Sequence, residues 1–235
     1  MILLTLDTNS DILSCCVTNN KKLLSEINIY NLKSHSINSI GIIDSVLKNS
    51  NLTINDIDGF ILSKGPGSFT GLRIAFSIIK SFSFALKKPM ISLSSLDSLC
   101  FRENFNGIVC SIINALRDEV YINSFTCRNE IIQNDFEGEI VHINNIKKYL
   151  KSKYNNLQNI LFTGDGTLKF ESHLKIIFPN SYINQKPISS YDYALLGFEK
   201  FKLNLFDDSF LCSPSYIRVS QAQEMLLTKN KSKND

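Results

Sequence analysis

The chain has 235 residues, a formal charge of +3, 43% hydrophobic residues and 20% charged residues. This length suggests roughly one or two domains, large enough to fold without a metal or disulfide staple. The small charge excludes a strong, delocalised affinity for nucleic acid, although the basic residues 229–235 leave room for a weak RNA contact.

Cysteine and histidine usage gives no metal or disulfide pattern. The six cysteines include no C-x-x-C pair and mostly sit among apolar residues, which predicts buried thiols in a reducing compartment. His35, His142 and His173 lie far apart without metal-ligand spacing. We see no signal peptide at the start of the sequence and no apolar run near the roughly 18 residues of a membrane span. These features predict a cytoplasmic protein without a membrane partner.

The first hundred residues predict a mixed α/β layer. Period-two and period-3.6 apolar patterns give three strands, a helix, and then alternating strands and helices. The predicted strands cover 2–7, 13–18, 23–29, 59–63 and 90–92, and the predicted helices cover 34–48, 71–86 and 94–101.

The second half follows a similar order less clearly, with no repeat visible in the sequence itself. Its predicted strands cover 107–114, 120–127, 131–136 and 160–162. Its predicted helices cover 145–151, 168–178, 191–200 and a terminal 221–229.

The segment Gly65–Gly71 is the most informative. It holds three glycines in seven residues between a strand and a helix. Glycines there permit unusual backbone geometry, and amides at a helix N-terminus attract anions, which indicates a phosphate- or partner-contacting loop. The alternative is a tight turn whose glycines only allow close packing. The segment lacks the G-K-[ST] ending of a Walker loop.

The helix at 71–86 is apolar on more than one face. Its main row is Leu72, Ala75, Ile79, Phe82 and Leu86, and Ile74, Ile78 and Ala85 form a neighbouring row. A helix that only covers a sheet normally keeps a polar stripe. Either a second layer of this chain or another chain must cover the extra face, and we favour another chain.

The stretch GPGSFTGLRI at Gly65–Ile74 resembles the signature of the TsaB/YeaZ family. Further matching features occur in the same order along nearly the whole chain, and they are strongest over residues 1–100. They are Leu6–Thr8, His35–Ser36, Pro89–Leu99, Arg117–Tyr121 and Pro214–Arg218.

The resemblance implies an α/β, actin-like (sugar kinase/Hsp70/actin) fold of two ribonuclease-H-like subdomains with mixed sheets. We expect the subdomains at residues 1–103 and 104–211, with the segment 212–235 and its helix packing back on the body.

The resemblance also implies partners. The catalytic paralogue TsaD and the ATPase TsaE would bind the chain, tRNA would be contacted only through the complex, and the isolated chain could homodimerise. In this family the first two helices form the dimer surface. The candidate interface residues are His35, Ile40, Leu47, Leu72, Ala75, Ile79 and Phe82.

The resemblance argues against catalysis by this chain. TsaD-like paralogues carry a metal-binding His-x-x-x-His after the equivalent strand, where this sequence has Ser95 and Leu99. Leucine cannot ligate a metal and a serine hydroxyl is a poor substitute for imidazole. We therefore expect a non-catalytic subunit without a metal or cofactor, with ATP or ADP binding only at the complex. It would be required with TsaD and TsaE for N6-threonylcarbamoylation of adenosine 37 in tRNAs that read codons starting with A.

The principal alternative is a small-molecule kinase or ATPase. Asp7, the loop residues Gly65, Gly67, Ser68, Thr70 and Gly71, and the turn Gly164–Gly166 could together hold a nucleotide phosphate and Mg²⁺ in an actin-like cleft. Equally, Asp7 could cap a turn through Thr8 and Asn9, with Gly164–Gly166 a simple turn. A metalloprotease is a weaker alternative because the chain lacks the necessary ligands.

Three positions depart from the family pattern. The family usually has Asp at Asn114, Arg at Leu116 and Gly at Asp118, and its second helix usually carries smaller residues. These departures weaken the case for nucleotide binding and suggest a partner surface adapted to this chain's own TsaD.

Overall fold

The structure, a computed structural model, describes residues 1–30, 35–128, 131–133 and 137–217. At residues 35–37, 128 and 131–133 it describes the backbone alone. The predicted helix at 221–229 lies outside the described residues.

The chain order is strand-rich at the start of each half. The first half contains β1 (Ile2–Asp7), β2 (Ile12–Asn19), β3 (Lys22–Tyr30), α1 (His35–Asn49), β4 (Gly59–Gly65), α2 (Phe69–Leu86), β5 (Met90–Ser94) and α3 (Ser95–Phe101). The second half contains β6 (Gly107–Asn114), β7 (Glu119–Arg128), β8 (Ile131–Gln133), β9 (Glu139–His142), α4 (Ile146–Lys153), β10 (Ile160–Thr163), α5 (Gly166–Ile177), β11 (Tyr182–Asn184) and α6 (Ser190–Lys202). The sequence patterns missed β9 and β11, which are only four and three residues long.

Two sheets repeat one topology. The first has the order β3-β2-β1-β4-β5, with β1, β2 and β3 antiparallel and β1, β4 and β5 parallel. The second runs β8-β7-β6-β10-β11 with the same directions, and β9 pairs with β7. The predicted fold class of two ribonuclease-H-like halves in an actin-like α/β fold is confirmed.

Helices cover both faces of the first sheet, because its central strands are apolar on alternate sides. Leu4 and Leu6 of β1 face the core with α1 and α2, whereas Leu3 faces α6. Gly197 of α6 packs so closely that an added Cβ would lie 2.4 Å from Ile61 Cδ1. By packing, α6 belongs with the first sheet, so the predicted boundary that assigned residues 104–211 to the second subdomain does not follow the cores.

Arg102 joins the end of α3 to the second sheet and to α6. Its buried guanidinium donates to Thr163 Oγ1 of β10 at 3.0 Å, to Asp192 Oδ2 of α6 at 3.0 Å and to the carbonyl of Pro187 at 2.8 Å. Such a network positions the two lobes through one planar group.

The chain's own C-terminal segment covers one side of α2. Lys80 Nζ donates to the carbonyl of Cys212 at 2.8 Å, and the rings of Phe84 and Phe210 meet edge to face at 5.6 Å. On this side, at Lys80 and Phe84, the second layer comes from the same chain. The row Ile74, Ile78 and Ala85 lies on another side of the helix, and its cover by another chain stays a prediction.

The main apolar row of α2 is the core face rather than an exposed one. Leu72, Ala75 and Ile79 are fully buried, Ile79 and Ala75 within the core that α1 and α2 form on the sheet. Leu47 of α1 is buried in the same core, and the half-buried Phe82 stacks on Phe60 at 5.9 Å. The prediction that Leu47, Leu72, Ala75 and Ile79 face a partner is therefore wrong. Periodicity identifies an apolar row, but it does not say which layer covers it.

Ile79→Arg is expected to unfold the protein rather than merely block assembly. Ile79 is 0% exposed, and an unpaired guanidinium in this core should cost several kcal/mol. Far-UV circular dichroism with thermal melting measures the effect. The matched control is Ile40→Arg, at an α1 position that is 55% exposed, which should melt close to the parent. An Ile79→Arg protein that melts like the parent would contradict this assignment of faces.

Candidate partner surface and interlobe cleft

A buried network holds the end of β1 against three other elements. The Asn9 side-chain amide donates to Ser63 Oγ at 2.5 Å, to Ser95 Oγ at 2.7 Å and to the Tyr193 hydroxyl at 3.2 Å. Ser63 and Ser95 also hydrogen-bond each other at 3.0 Å. One side chain thereby connects β1 to β4, α3 and α6.

The loop Gly65–Gly71 packs directly on the backbone that precedes this network. A Cβ on Gly71 would lie 1.8 Å from the carbonyl oxygen of Thr8, and one on Gly67 would lie 2.6 Å from that of Asn9. The Ser68 amide donates to the Asn9 carbonyl at 2.6 Å, and the Gly71 amide donates to Ser68 Oγ at 3.2 Å. The glycines are thus explained by close packing, and these two amides are already used within the chain. The geometry favours the tight turn over the anion-binding loop.

Asp7 caps the turn that follows β1. Its Oδ1 accepts from the Asn9 amide at 3.1 Å, whereas its Oδ2 is buried without a hydrogen-bond partner among the described residues. Burial raises the pKa of Asp7 to about 7. The carboxyl group lies in the interior and is not part of the cleft wall, so its position does not favour a role in holding Mg²⁺.

A cleft of about 710 Å³ lies between the lobes, next to this loop. Its wall is mainly apolar, and its charged members are the carboxyl groups of Asp11 and Asp165; the described wall residues include no lysine, arginine or histidine. Burial, together with the nearby Asp11, raises the pKa of Asp165. Since a polyphosphate needs opposite charge or free amide donors, the residues present do not fit a nucleotide. The apolar wall includes Phe69, Leu72, Leu99, Ile113, Leu168 and Ile188.

The turn Gly164–Gly166 forms part of the cleft without offering a phosphate cradle. Gly164 has a φ of +106°, and an added Cβ there would lie 2.3 Å from the Ile112 carbonyl oxygen. Asp165 Oδ1 accepts from the Asn114 amide at 3.1 Å. Close packing against β6 therefore accounts for the first glycine.

The departures from the family pattern lie at the rim of this cleft. Leu116 and Asp118 have φ values of +67° and +58°, in the left-handed region that favours glycine. This backbone explains why glycine is usual at position 118. Asn114 and Leu116 line the cleft. Asp118 forms an ion pair with Lys169, with 3.4 Å between Asp118 Oδ1 and Lys169 Nζ. Leu116, where the resemblance leads us to expect arginine, adds an exposed apolar side chain to this rim.

Ser95 and Leu99, which the resemblance equates with the paralogue's metal ligands, are both buried. Ser95 is fully buried within the Asn9 network. Leu99, four residues along α3, is buried in the core between α6 and the first sheet, and it also reaches the cleft wall. Both positions serve internal packing.

The outward side of α1 and α2 remains as the candidate partner surface. We define the helix surface as a group of five residues on these helices: Ile40, Ile74, Ser77, Ile78 and Ser81. Ile40, Ser77 and Ser81 are exposed, and Ile74 and Ile78 are half-buried. Of the predicted interface residues, Ile40 lies on this surface, and the side chain of His35 lies outside the described part of the chain. These five residues are apolar or small and polar, as is common in protein interface cores. The same two helices also carry the exposed ion pair Asp44–Lys48 and the exposed Arg73.

Sequence reasoning missed the network around Asn9. No local sequence pattern marks these residues, because Ser63 lies 54 residues and Tyr193 lies 184 residues after Asn9 along the chain. Only the pairing of β1 with β4 and the packing of α6 bring them together.

The raised pKa of Asp7 predicts a specific pH dependence of stability. The folded pKa of about 7 lies above the ordinary value of 3.8, so the folded state holds a proton that the unfolded chain releases between these values. Stability should fall as pH rises from about 4 to about 7, by on the order of 4 kcal/mol, and then level off. Urea unfolding at several pH values, on the parent and on Asp7→Asn, measures this. The variant should gain stability relative to the parent as pH rises; parallel profiles would contradict the prediction.

Comparisons with known proteins agree with this architecture. Residues 23–226 match the family model of TsaD, tRNA N6-adenosine threonylcarbamoyltransferase. The chain is 24% identical to the tRNA threonylcarbamoyladenosine biosynthesis protein TsaB of Bacillus subtilis (strain 168), over 98% of this chain and 100% of that protein. It is 32% identical to TsaB of Buchnera aphidicola subsp. Schizaphis graminum, over 77% of this chain and 89% of that protein.

A solved structure extends the similarity to three dimensions. YeaZ from Pseudomonas aeruginosa superposes with a TM-score of 0.74 at 19% identity, over 92% of this chain and 99% of that one. The family-model match covers most of the chain, and the Buchnera relative exceeds 30% identity over three quarters of it. The chain therefore belongs to the TsaB/YeaZ family.

Proposed function

We propose that this chain is a non-catalytic, cytoplasmic subunit of the machinery that makes threonylcarbamoyladenosine in tRNA. In this proposal it binds the catalytic TsaD and works with TsaE in N6-threonylcarbamoylation of adenosine 37, in tRNAs that read codons starting with A. The names of its relatives place them in the same biosynthesis.

One observation carries the non-catalytic part of the proposal. Where the paralogue's pattern requires two histidines, this chain has Ser95 in a hydrogen-bond network and Leu99 in a core. Two imidazoles would need more space than the fully buried Ser95 and Leu99 positions offer. The positions have become structural, which fits a subunit whose chemistry is supplied by its partner.

The cleft supports the same conclusion. An actin-like enzyme that used ATP would need its phosphates held, and the described wall offers carboxylates instead of cations. Asp7 is buried behind the wall with a raised pKa. Neither feature favours the kinase alternative.

The helix surface supports the partner role. Ile40 of α1 is exposed, and Ile74 and Ile78 of α2 are half-buried. The chain covers other sides of α2 with its sheet and with residues 210–216. Burying apolar groups of this kind is the main source of affinity in protein association. The resemblance to the family implies that the same two helices form the dimer surface.

Reconstitution with purified TsaD, TsaE, tRNA and the threonylcarbamoyl donor tests the proposal. Modification of adenosine 37, followed by mass spectrometry of nucleosides, should require all three proteins. Robust modification by this chain alone would overturn the non-catalytic assignment, and full activity of TsaD with TsaE in its absence would overturn the requirement.

Ile40→Arg is expected to weaken TsaD binding at least about tenfold while leaving the fold intact, because the guanidinium would enter an apolar contact. Isothermal titration calorimetry against TsaD measures binding, and circular dichroism checks the fold. The matched control is Ile176→Arg, at a position on α5 in the other lobe that is 78% exposed. It should bind TsaD normally. Equal affinity of both variants would remove the helix surface from the proposal.

A further inference from the structure

Two buried cysteines from different elements are in contact. The sulfur atoms of Cys100 on α3 and Cys127 on β7 lie 3.9 Å apart. Both side chains are buried in a small core with Phe105, Val109 and Phe125. Neither cysteine belongs to the cleft wall or to the helix surface. The functions discussed above therefore do not use this pair of thiols.

The other four cysteines have different surroundings, and all six are free thiols. Cys15 belongs to the core that α1 and α2 form on the first sheet, and its neighbour Cys16 points to the opposite face of β2. Cys110 belongs to the core on the far side of the second sheet, where α4 and α5 pack. Cys212 Sγ lies 3.3 Å from Ser92 Oγ.

Both cysteines of the contact lie near the ends of their elements. Cys100 is the residue before the last of α3, and Cys127 is the residue before the last of β7. A disulfide places its sulfurs about 2.0 Å apart, so the present gap would have to close by roughly 2 Å. The last turn of a helix lacks part of its internal hydrogen bonds, which makes a small displacement of Cys100 inexpensive.

The two thiols differ in acidity. The hydrogen bond with Cys100 lowers the pKa of the Cys127 thiol, whereas burial raises the pKa of the Cys100 thiol. Because the thiolate is the nucleophile in thiol oxidation, Cys127 should react first. Cys100 is in position to react second.

We propose that Cys100 and Cys127 form an oxidation site, which a peroxide converts into a reversible disulfide within the chain. The Cys127 thiolate attacks one oxygen of hydrogen peroxide, the O–O bond breaks, and the products are a sulfenic acid and hydroxide. The hydroxide takes up the proton that Cys127 released. The Cys100 thiol then attacks the sulfenic sulfur, so that the S–S bond forms, the S–O bond breaks and water leaves with the thiol proton. Two thiols thereby lose two electrons, and one peroxide becomes two waters.

Burial favours the disulfide over other products. Hydrogen peroxide is close to water in size, whereas a bulkier external thiol would not fit against sulfurs that are 0% and 2% exposed. A sulfenic acid at Cys127 would already have the Cys100 sulfur at contact distance. The bond would join α3, which carries Ser95 of the Asn9 network, to the second sheet, and it would restrict the unfolded chain. This inference is independent of the proposed function, because it concerns the isolated chain.

Peptide mapping of the peroxide-treated full chain tests the proposal. The folded protein is treated with hydrogen peroxide, its remaining thiols are blocked with N-ethylmaleimide in denaturing urea, and it is digested with trypsin without reduction. Cys100 and Cys127 fall on separate tryptic peptides, 88–102 and 118–128, and neither peptide holds another cysteine. A disulfide joining these two peptides should be the main oxidised product, and dithiothreitol should remove it.

Two variants separate this pairing from general thiol oxidation. In Cys100→Ser the crosslink should be lost, and Cys127 should be recovered as a sulfenic acid or its further oxidation products. Circular dichroism checks that this variant folds like the parent. The matched control is Cys212→Ser, which changes a half-buried thiol beside Ser92 and should keep the parent's crosslink yield.

Urea unfolding gives a second readout. The oxidised parent should unfold at a urea concentration higher by on the order of 1 M than the reduced parent, and peroxide-treated Cys100→Ser should show no such rise. A crosslinked chain whose midpoint does not rise would mean that the bond distorts the fold, against the contact described above. Six unreacted thiols, disulfides to the Cys110 peptide in comparable yield, crosslinks between two chains, or Cys127 sulfinic acid in place of the disulfide would each overturn the proposal.

Discussion

The close approach of the Thr8–Asn9 backbone to the start of α2 is the constraint on which the remaining architecture depends. The Thr8 hydroxyl donates to the Gly71 carbonyl at 2.6 Å, and no side chain larger than hydrogen fits at position 71. Because Asn9 lies at the same point, its amide reaches β4, α3 and α6 together. One contact therefore fixes how β1, both helical layers and the cleft wall sit relative to one another.

This constraint also redirects the chemistry of the fold. Where an actin-like fold could hold a phosphate between the end of β1 and the following loops, two backbone donors here are already engaged: the Ser68 amide by the Asn9 carbonyl and the Gly71 amide by Ser68 Oγ. Among the described residues, the buried Oδ2 of Asp7 has no hydrogen-bond partner, and Leu99 is part of the cleft wall. The interior is thus committed to stability, and the outward side of α1 and α2 is left to carry the proposed function.

The sequence predicted the elements well and their partners less well. Period-two runs such as β1 and the 3.6 period of α2 are local, so both elements and the mixed α/β class were recognisable. The row Leu72, Ala75 and Ile79 was recognised as apolar but assigned to the wrong layer, because a helical pattern does not record what covers it. The Asn9 network and the return of α6 to the first sheet arise from contacts distant in sequence. No local sequence pattern predicts these contacts, and none predicts that residues 210–216 pack on α2.

The central claim is that this chain acts through the helix surface rather than through its cleft. Hydrogen–deuterium exchange of the chain with and without TsaD tests it most directly. Exchange in α1 and α2 should slow on complex formation, while exchange in the cleft segments 113–117 and 165–168 should stay unchanged. Protection confined to the cleft segments, with α1 and α2 unaffected by TsaD, would contradict it.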